Sequence, residues 1–403
     1  MTVGGDSGAS HTTSIAVAGF QTYTRSVMLS RMNRNRLSYR AELVTLGVSL
    51  WLVAGVFVDG WAHINLTQLE TFFTPWHALF YSGFAAVAGW ISYVVVRAQD
   101  QGMRGWAAVP AGYGLGVVGL GVFALGGVGD LVWHTLFGIE EGLEALLSPT
   151  HILLYLGMVL IVTSPLRAAI AVPGGRDVGR LRSFLPPLLS LTLLVTVTSF
   201  FVMYLSAFGD TSPVLTPADW LPEWGPYPAD GILQQLGIAN ALVTNVILIA
   251  PVLYLLRRWQ PPFGAVTMLF SSVGVLMSGL YAFIYAWAVI PAVAGGIGAD
   301  LLIRRLRPSP GRPGTFRLVG FAVPIMFWSA YYLTLGLTVA PMAWSPELWS
   351  GTIFVTALTG LTLAQLMLPI TTPAQPAEPT ELKKSATMTQ QAPQAKTRSL
   401  ISG

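Results

Sequence analysis

The chain has 403 residues, 53% of them hydrophobic and only 10% charged. A soluble domain carries about 25% charged residues, so repeated apolar runs of roughly 20 residues indicate a polytopic helical membrane protein. No cysteine is present, which excludes disulfides, thiolate metal sites, iron–sulfur clusters and a cysteine nucleophile. The net charge of +4 comes from Arg at the ends of apolar runs, a mark of topology and not of nucleic-acid binding.

In chain order, residues 1–40 read as a polar, largely disordered cytoplasmic N-terminus without the features of a signal peptide. About ten membrane spans follow, at roughly 41–58, 74–97, 107–130, 149–170, 182–207, 232–256, 263–283, 285–303, 316–340 and 349–370. The expected fold is therefore an all-α, polytopic integral membrane bundle. It divides into a four-helix half over 41–175, built from a duplicated helical hairpin, and a six-helix half over 176–370. Residues 371–403, rich in Pro, Gln, Thr, Ala and Lys, read as a disordered cytoplasmic tail.

Every second connection is basic: Arg31, Arg34, Arg36 and Arg40 come first, then Arg97 and Arg104, then Arg167, Arg176, Arg180 and Arg182. Arg257 and Arg258 follow, then Arg304, Arg305, Arg307 and Arg312, and finally Lys383 and Lys384. By the positive-inside rule both termini are cytoplasmic, in a prokaryotic plasma membrane. The turn near Phe283–Tyr285 lacks a polar loop, so spans seven and eight are either two crossings or a re-entrant pair. The connection from Gly209 to Gly231 holds Asp210, Asp219, Glu223 and Asp230 but no Lys or Arg, which places it outside.

One pattern occurs twice. Asp59, His63, Glu70, Thr74-Pro75-Trp76-His77, Tyr81 and Gly83 are matched by Asp130, His134, Glu144, Ser148-Pro149-Thr150-His151, Tyr155 and Gly157. The two copies contain four of the five histidines, the fifth being His11. Asp and His at i, i+4 share a helical face. Thr74-Pro75 and Ser148-Pro149 read as a hydroxyl N-cap with Pro at the first helical position, placing His77 and His151 in the first turn of a helix. Ionisable groups at the ends of apolar spans are costly and usually functional. Asp59, His63, His77, Asp130, His134 and His151 are therefore candidate metal ligands. Glu70 and Glu144 are candidate bridging groups, partners of the imidazoles or general bases; Glu140 and Glu141 have no counterpart and rank below them. Imidazole and carboxylate donors suit copper, zinc and iron. Copper is preferred for a site that opens outside, with iron and zinc as alternatives. Gly112, Gly116, Gly119, Gly126 and Gly127 in span three allow close helix packing.

Asp59-x-x-x-His63 followed by His77 resembles the metal motif in the third (C) subunit of copper membrane monooxygenases, the methane and ammonia oxidisers. That resemblance implies that Asp59, His63 and His77 bind a metal in the bundle, with Asp130, His134 and His151 repeating them. The intervals between the last two histidines of each copy are thirteen and sixteen residues, longer than in the family.

The leading expectation is a two-metal membrane oxidoreductase acting on a small apolar or lipid-soluble substrate. Alternatives are a copper or zinc carrier, a metal-dependent hydrolase, or a structural subunit working with other membrane proteins or as a homo-oligomer. Haem ligation by paired His leaves the matched Asp and Glu unexplained. Asp210, Asp300, and Gln234, Gln235, Asn240 and Asn245 of span six are further polar groups in or near apolar runs. No nucleotide-binding or serine-hydrolase motif is present.

Overall fold

A computed structural model describes residues 35–66, 72–138, 142–171, 181–215 and 229–369. The expected polar ends, His11, Glu70, Glu140, Glu141, Asp219 and Glu223 lie outside the described residues, and Asp230 is described by its backbone alone. Twelve α-helices and no strand occur among the described residues. They are α1 (Tyr39–Asn65), α2 (Pro75–Asp100), α3 (Gly114–Phe137), α4 (Glu144–Leu147), α5 (Pro149–Val162), α6 (Ser164–Ile170), α7 (Leu181–Phe201), α8 (Ala229–Arg258), α9 (Ala265–Leu280), α10 (Val289–Leu306), α11 (Pro313–Thr338) and α12 (Pro346–Met367).

The protein is an all-α polytopic membrane bundle. Eight described helices are long and apolar enough to cross a bilayer, and α5 and α6 together form a ninth segment with a 41° bend. The tenth, α9, has only 16 residues. At 1.5 Å per residue it is about 24 Å long, short of the ~30 Å hydrocarbon core. The chain reverses after α9 through Ala282 and Phe283, both at positive φ (51° and 61°). This compact turn is why no polar loop separates spans seven and eight.

Two spans differ in their ends from the sequence expectation for physical reasons. Span three begins at Gly114, because Pro110 and Gly112 (φ +88°) interrupt the chain before it. It continues past Asp130 to Phe137 and stops at Gly138, which has φ +83°. Likewise α1 runs on through Asp59 and His63 to Asn65. The polar residues expected to end these helices are held within their last turns because each finds partners there.

The first four spans form two hairpins, α1 with α2 and α3 with α5. The closing glycine of each motif copy makes the approach close. A Cβ on Gly83 would lie 2.6 Å from Leu52 Cα, and one on Gly157 would lie 2.8 Å from Phe123 Cα. In the next layer, α7 packs on α1 and α5, and α9 also leans on α1. Arg167 supports the bend between α5 and α6: its guanidinium donates to the carbonyls of Gly112 and Leu160 and to the hydroxyls of Thr163 and Ser164. Groups released from the helix ladder are thereby satisfied inside the bundle, as a membrane requires.

Candidate metal centre

The helix starts orient two of the histidines. Thr74 Oγ1 accepts from the backbone N–H of His77 (3.1 Å), with Pro75 opening α2. Ser148 Oγ accepts from the N–H of His151 (3.4 Å), with Pro149 opening α5. Each capping bond therefore ends on a candidate ligand. The other two histidines sit one helical turn beyond their aspartates, in the last turns of α1 and α3.

The structure brings the six residues together as two triads, Asp59 with His63 and His77, and Asp130 with His134 and His151. Within each triad one ligand atom per residue lies within 4.8 Å of the others. Asp59 Oδ2 is 3.5 Å from His77 Nε2 and 3.8 Å from His63 Nδ1. Asp130 Oδ1 is 3.0 Å from His151 Nε2 and 3.4 Å from His134 Nε2. The triads are neighbours, with the rings of His77 and His134 6.0 Å apart between centroids.

Backbone carbonyls also engage three of the rings at Nδ1, in His77 and His134 the nitrogen opposite the one facing the aspartate. His63 Nδ1 lies 2.9 Å from the Asp59 carbonyl, His77 Nδ1 lies 2.7 Å from the Phe72 carbonyl, and His134 Nδ1 lies 3.1 Å from the Gly138 carbonyl. A carbonyl only accepts, so Nδ1 carries the hydrogen in all three rings; in His77 and His134 the nitrogen turned to the aspartate is then Nε2, whereas His63 approaches Asp59 through Nδ1 itself. Fixing the tautomer from the far side in this way is the usual support of a metal-binding imidazole. His151 Nδ1 pairs with Ser148 Oγ at 2.8 Å. Asp59 Oδ1 is buried without a hydrogen-bond partner. A carboxylate oxygen left this way is costly, and a cation at the triad would satisfy it.

All six residues line one cavity of about 660 Å³. Its other walls are mainly apolar and include Leu146, Met158, Val197, Phe200 and Met203. The wall given by α7 and the segment after it (Val197, Phe200, Phe201, Met203 and Tyr204) carries no motif by which the sequence could have placed it. Sequence reasoning missed Phe72, whose carbonyl holds His77 and whose ring stacks on that imidazole at 5.0 Å.

Other candidates fall elsewhere. Glu144, the first residue of α4, is exposed and is not among the cavity-lining residues. Tyr81 donates to Asp130 Oδ2 (2.8 Å), while its counterpart Tyr155 pairs with Thr198 (3.2 Å) and lines the chamber. Asp300 accepts from the N–H groups of Val266 and Thr267 and from the Thr267 hydroxyl, so it caps α9 from α10. Asn245 links Thr356 and Trp328 across three helices. Asp210 accepts from the Ser212 N–H (2.9 Å), and burial pushes its carboxyl above the usual range.

Compared with known protein families, curated proteins and solved structures, the chain matches none of them.

Proposed function

We propose that this protein is a two-metal membrane oxidoreductase acting on a small apolar or lipid-soluble substrate. In this reading Asp59, His63 and His77 hold one ion and Asp130, His134 and His151 hold the other. The observation that carries it is the donor set: two carboxylate–imidazole triads side by side, two imidazoles (His77 and His134) held at Nδ1 by backbone carbonyls with Nε2 turned to their aspartates, and one buried carboxylate oxygen unpartnered. Copper fits imidazole and carboxylate donors and the resemblance of Asp59-x-x-x-His63…His77 to copper membrane monooxygenases. A redox-active ion would supply electron transfer and oxygen activation. The chain itself supplies a chamber with largely apolar walls onto which both triads face, able to take an apolar molecule. Tyr155, Tyr204 and Tyr281 are the hydroxyl-bearing side chains of that chamber beyond the triads.

The rival reading, a metal carrier, needs ligands leading away from the triads along the bundle. On α1 the buried side chains between Ser49 and Asp59 are Leu52, Val53, Val56 and Phe57, all apolar. This favours a site that uses its metal over one that passes it on. The Arg pattern supports an opening on the extracytoplasmic side with both termini inside.

Elemental analysis of the detergent-purified protein tests the reading, beside a His77→Ala/His151→Ala double variant that remains folded. Up to two equivalents of a transition metal, lost in the variant, are expected. Failure of the wild-type protein to bind copper, iron or zinc on reconstitution would overturn the reading and leave the Asp–His pairs as structural contacts.

A further inference from the structure

The two triads have matching ligands but unequal surroundings. Asp130 is anchored through both oxygens: Tyr81 donates to Oδ2 (2.8 Å) and Thr150 donates to Oδ1 (3.3 Å). Asp59 receives neither bond, and its Oδ1 has no partner. Their side-chain exposures are 2% for Asp130 and 13% for Asp59.

The difference is written in the sequence at matched positions. Thr150 stands where the first copy has Trp76, whose ring instead packs edge-on against Trp61 at 5.8 Å. Gly127 stands three residues before Asp130, where the first copy has Val56 before Asp59. A Cβ on Gly127 would lie 2.9 Å from Tyr81 Cε1. That glycine makes room for the Tyr81 ring, which crosses from the first hairpin to reach the aspartate of the second. Tyr155, the counterpart of Tyr81, turns to Thr198 on α7 and leaves Asp59 without a reciprocal bond.

We propose that the two triads divide the work. The Asp130 triad is the tight, permanently loaded metal site, and the Asp59 triad is the weaker, coordinatively open site where a small exogenous ligand or oxidant binds. Tyr81 is the positioning residue that creates the difference. The inference rests on the two-metal reading. A carboxylate fixed in orientation before the ion arrives loses less freedom on binding, and partners that orient ligands are typically worth roughly 10–100-fold in metal affinity. The Asp59 carboxylate has no such anchor on Oδ1, so that oxygen would let it change between one-oxygen and two-oxygen coordination as another ligand enters.

The test is a Co²⁺ titration of the chelator-stripped, detergent-solubilised full chain, followed by calorimetry and by the visible bands of the bound ion. Two classes of site are expected, and azide should shift only the bands of the second equivalent. Tyr81→Phe keeps the ring and removes the hydroxyl; it should weaken the first-filling class roughly 10–100-fold and spare the second. Thr150→Val should act in the same direction without altering the Tyr81 packing. Asp59→Asn should remove the second class and leave the first. Two equal classes, equal weakening of both by Tyr81→Phe, or loss of the first class in Asp59→Asn would each overturn the division of work. Absence of any cobalt binding by the wild-type protein would instead sink the two-metal reading itself.

Discussion

Gly83→Ala is a sharp test of how the hairpin builds the first triad. The added Cβ would sit 2.6 Å from Leu52 Cα and 2.8 Å from Leu52 N, both backbone atoms that cannot turn aside. Carbon atoms in contact prefer about 3.5–4.0 Å, so α1 and α2 must part by about 1 Å at this point. Gly83 lies six residues after His77, and Leu52 lies seven before Asp59, distances of about 9 and 10 Å along the helices. Between clamp and site, Gly55 faces Phe80 just as closely, its Cβ position being 2.7 Å from Phe80 Cα. The separation is therefore carried to the Asp59–His77 gap, which is 3.5 Å in the native hairpin. Overpacking of this kind costs roughly 1–3 kcal/mol, and a site loosened by about 1 Å loses its preorganisation. The assay is thermal unfolding in detergent together with metal content, using Gly89→Ala on the same helix as control. Nothing lies within 4 Å of a Cβ on Gly89, and Ala there gains up to about 1 kcal/mol of helix propensity. Gly83→Ala should melt lower and lose metal from the Asp59 triad, while Gly89→Ala keeps both properties. If both variants melt and bind metal alike, the close approach does not position the site.

Two predictions concern the second half. Burial raises the Asp210 carboxyl above its unfolded value, so its contribution to stability is present below the unfolded pKa near 4 and is lost as pH rises through the folded pKa. Asp210→Asn should consequently raise the melting temperature at neutral pH relative to wild type and show a smaller gain near pH 4. An equal gain at both pH values would refute the assignment to titration. Asp300→Ala removes the acceptor of two N–H groups at the start of α9 and of the Thr267 hydroxyl. The expected cost is about 1–3 kcal/mol for the unsatisfied donors, seen as a lower melting temperature with unchanged metal content; loss of metal would tie α9 to the site more closely than these contacts imply.

The fold class was legible because apolar run length and Arg spacing are properties of single segments. Which residues meet was legible only where local geometry decides it. Asp59 with His63, and Asp130 with His134, follow from the helical repeat, and the caps place His77 and His151 at helix starts. The Tyr81–Asp130 bond was out of reach, since it depends on how one hairpin lies against the other. So was the lining of the chamber, whose walls include α7 residues with no chemical signature beyond their apolarity. The helix ends were misjudged at Asp130 for a related reason. An aspartate in an apolar run looks like a stop signal until its partners are known, and here Tyr81, Thr150 and two imidazoles supply them.

Charge balance connects the donor set to the preferred metal. No Lys or Arg occurs between Arg40 and Arg97 or between Arg104 and Arg167, the segments that contain both triads. With neutral imidazoles each triad carries the single negative charge of its aspartate, in surroundings where an unbalanced charge is expensive. One proton shared between carboxylate and imidazole cancels that charge, and so does one monovalent ion. A divalent ion leaves one positive charge per triad, which an anionic ligand must match. The Asp130 triad, with both carboxylate oxygens already engaged, has little to offer such a ligand. The Asp59 triad, with an unpartnered oxygen and a more exposed aspartate, has room for one. Copper, the proposed metal, would use both charge states with imidazole donors, and Met158 and Met203 place thioether groups in the chamber wall. Under the two-metal proposal, a monovalent ion would leave each triad neutral, and a divalent ion would draw an anion to the Asp59 triad.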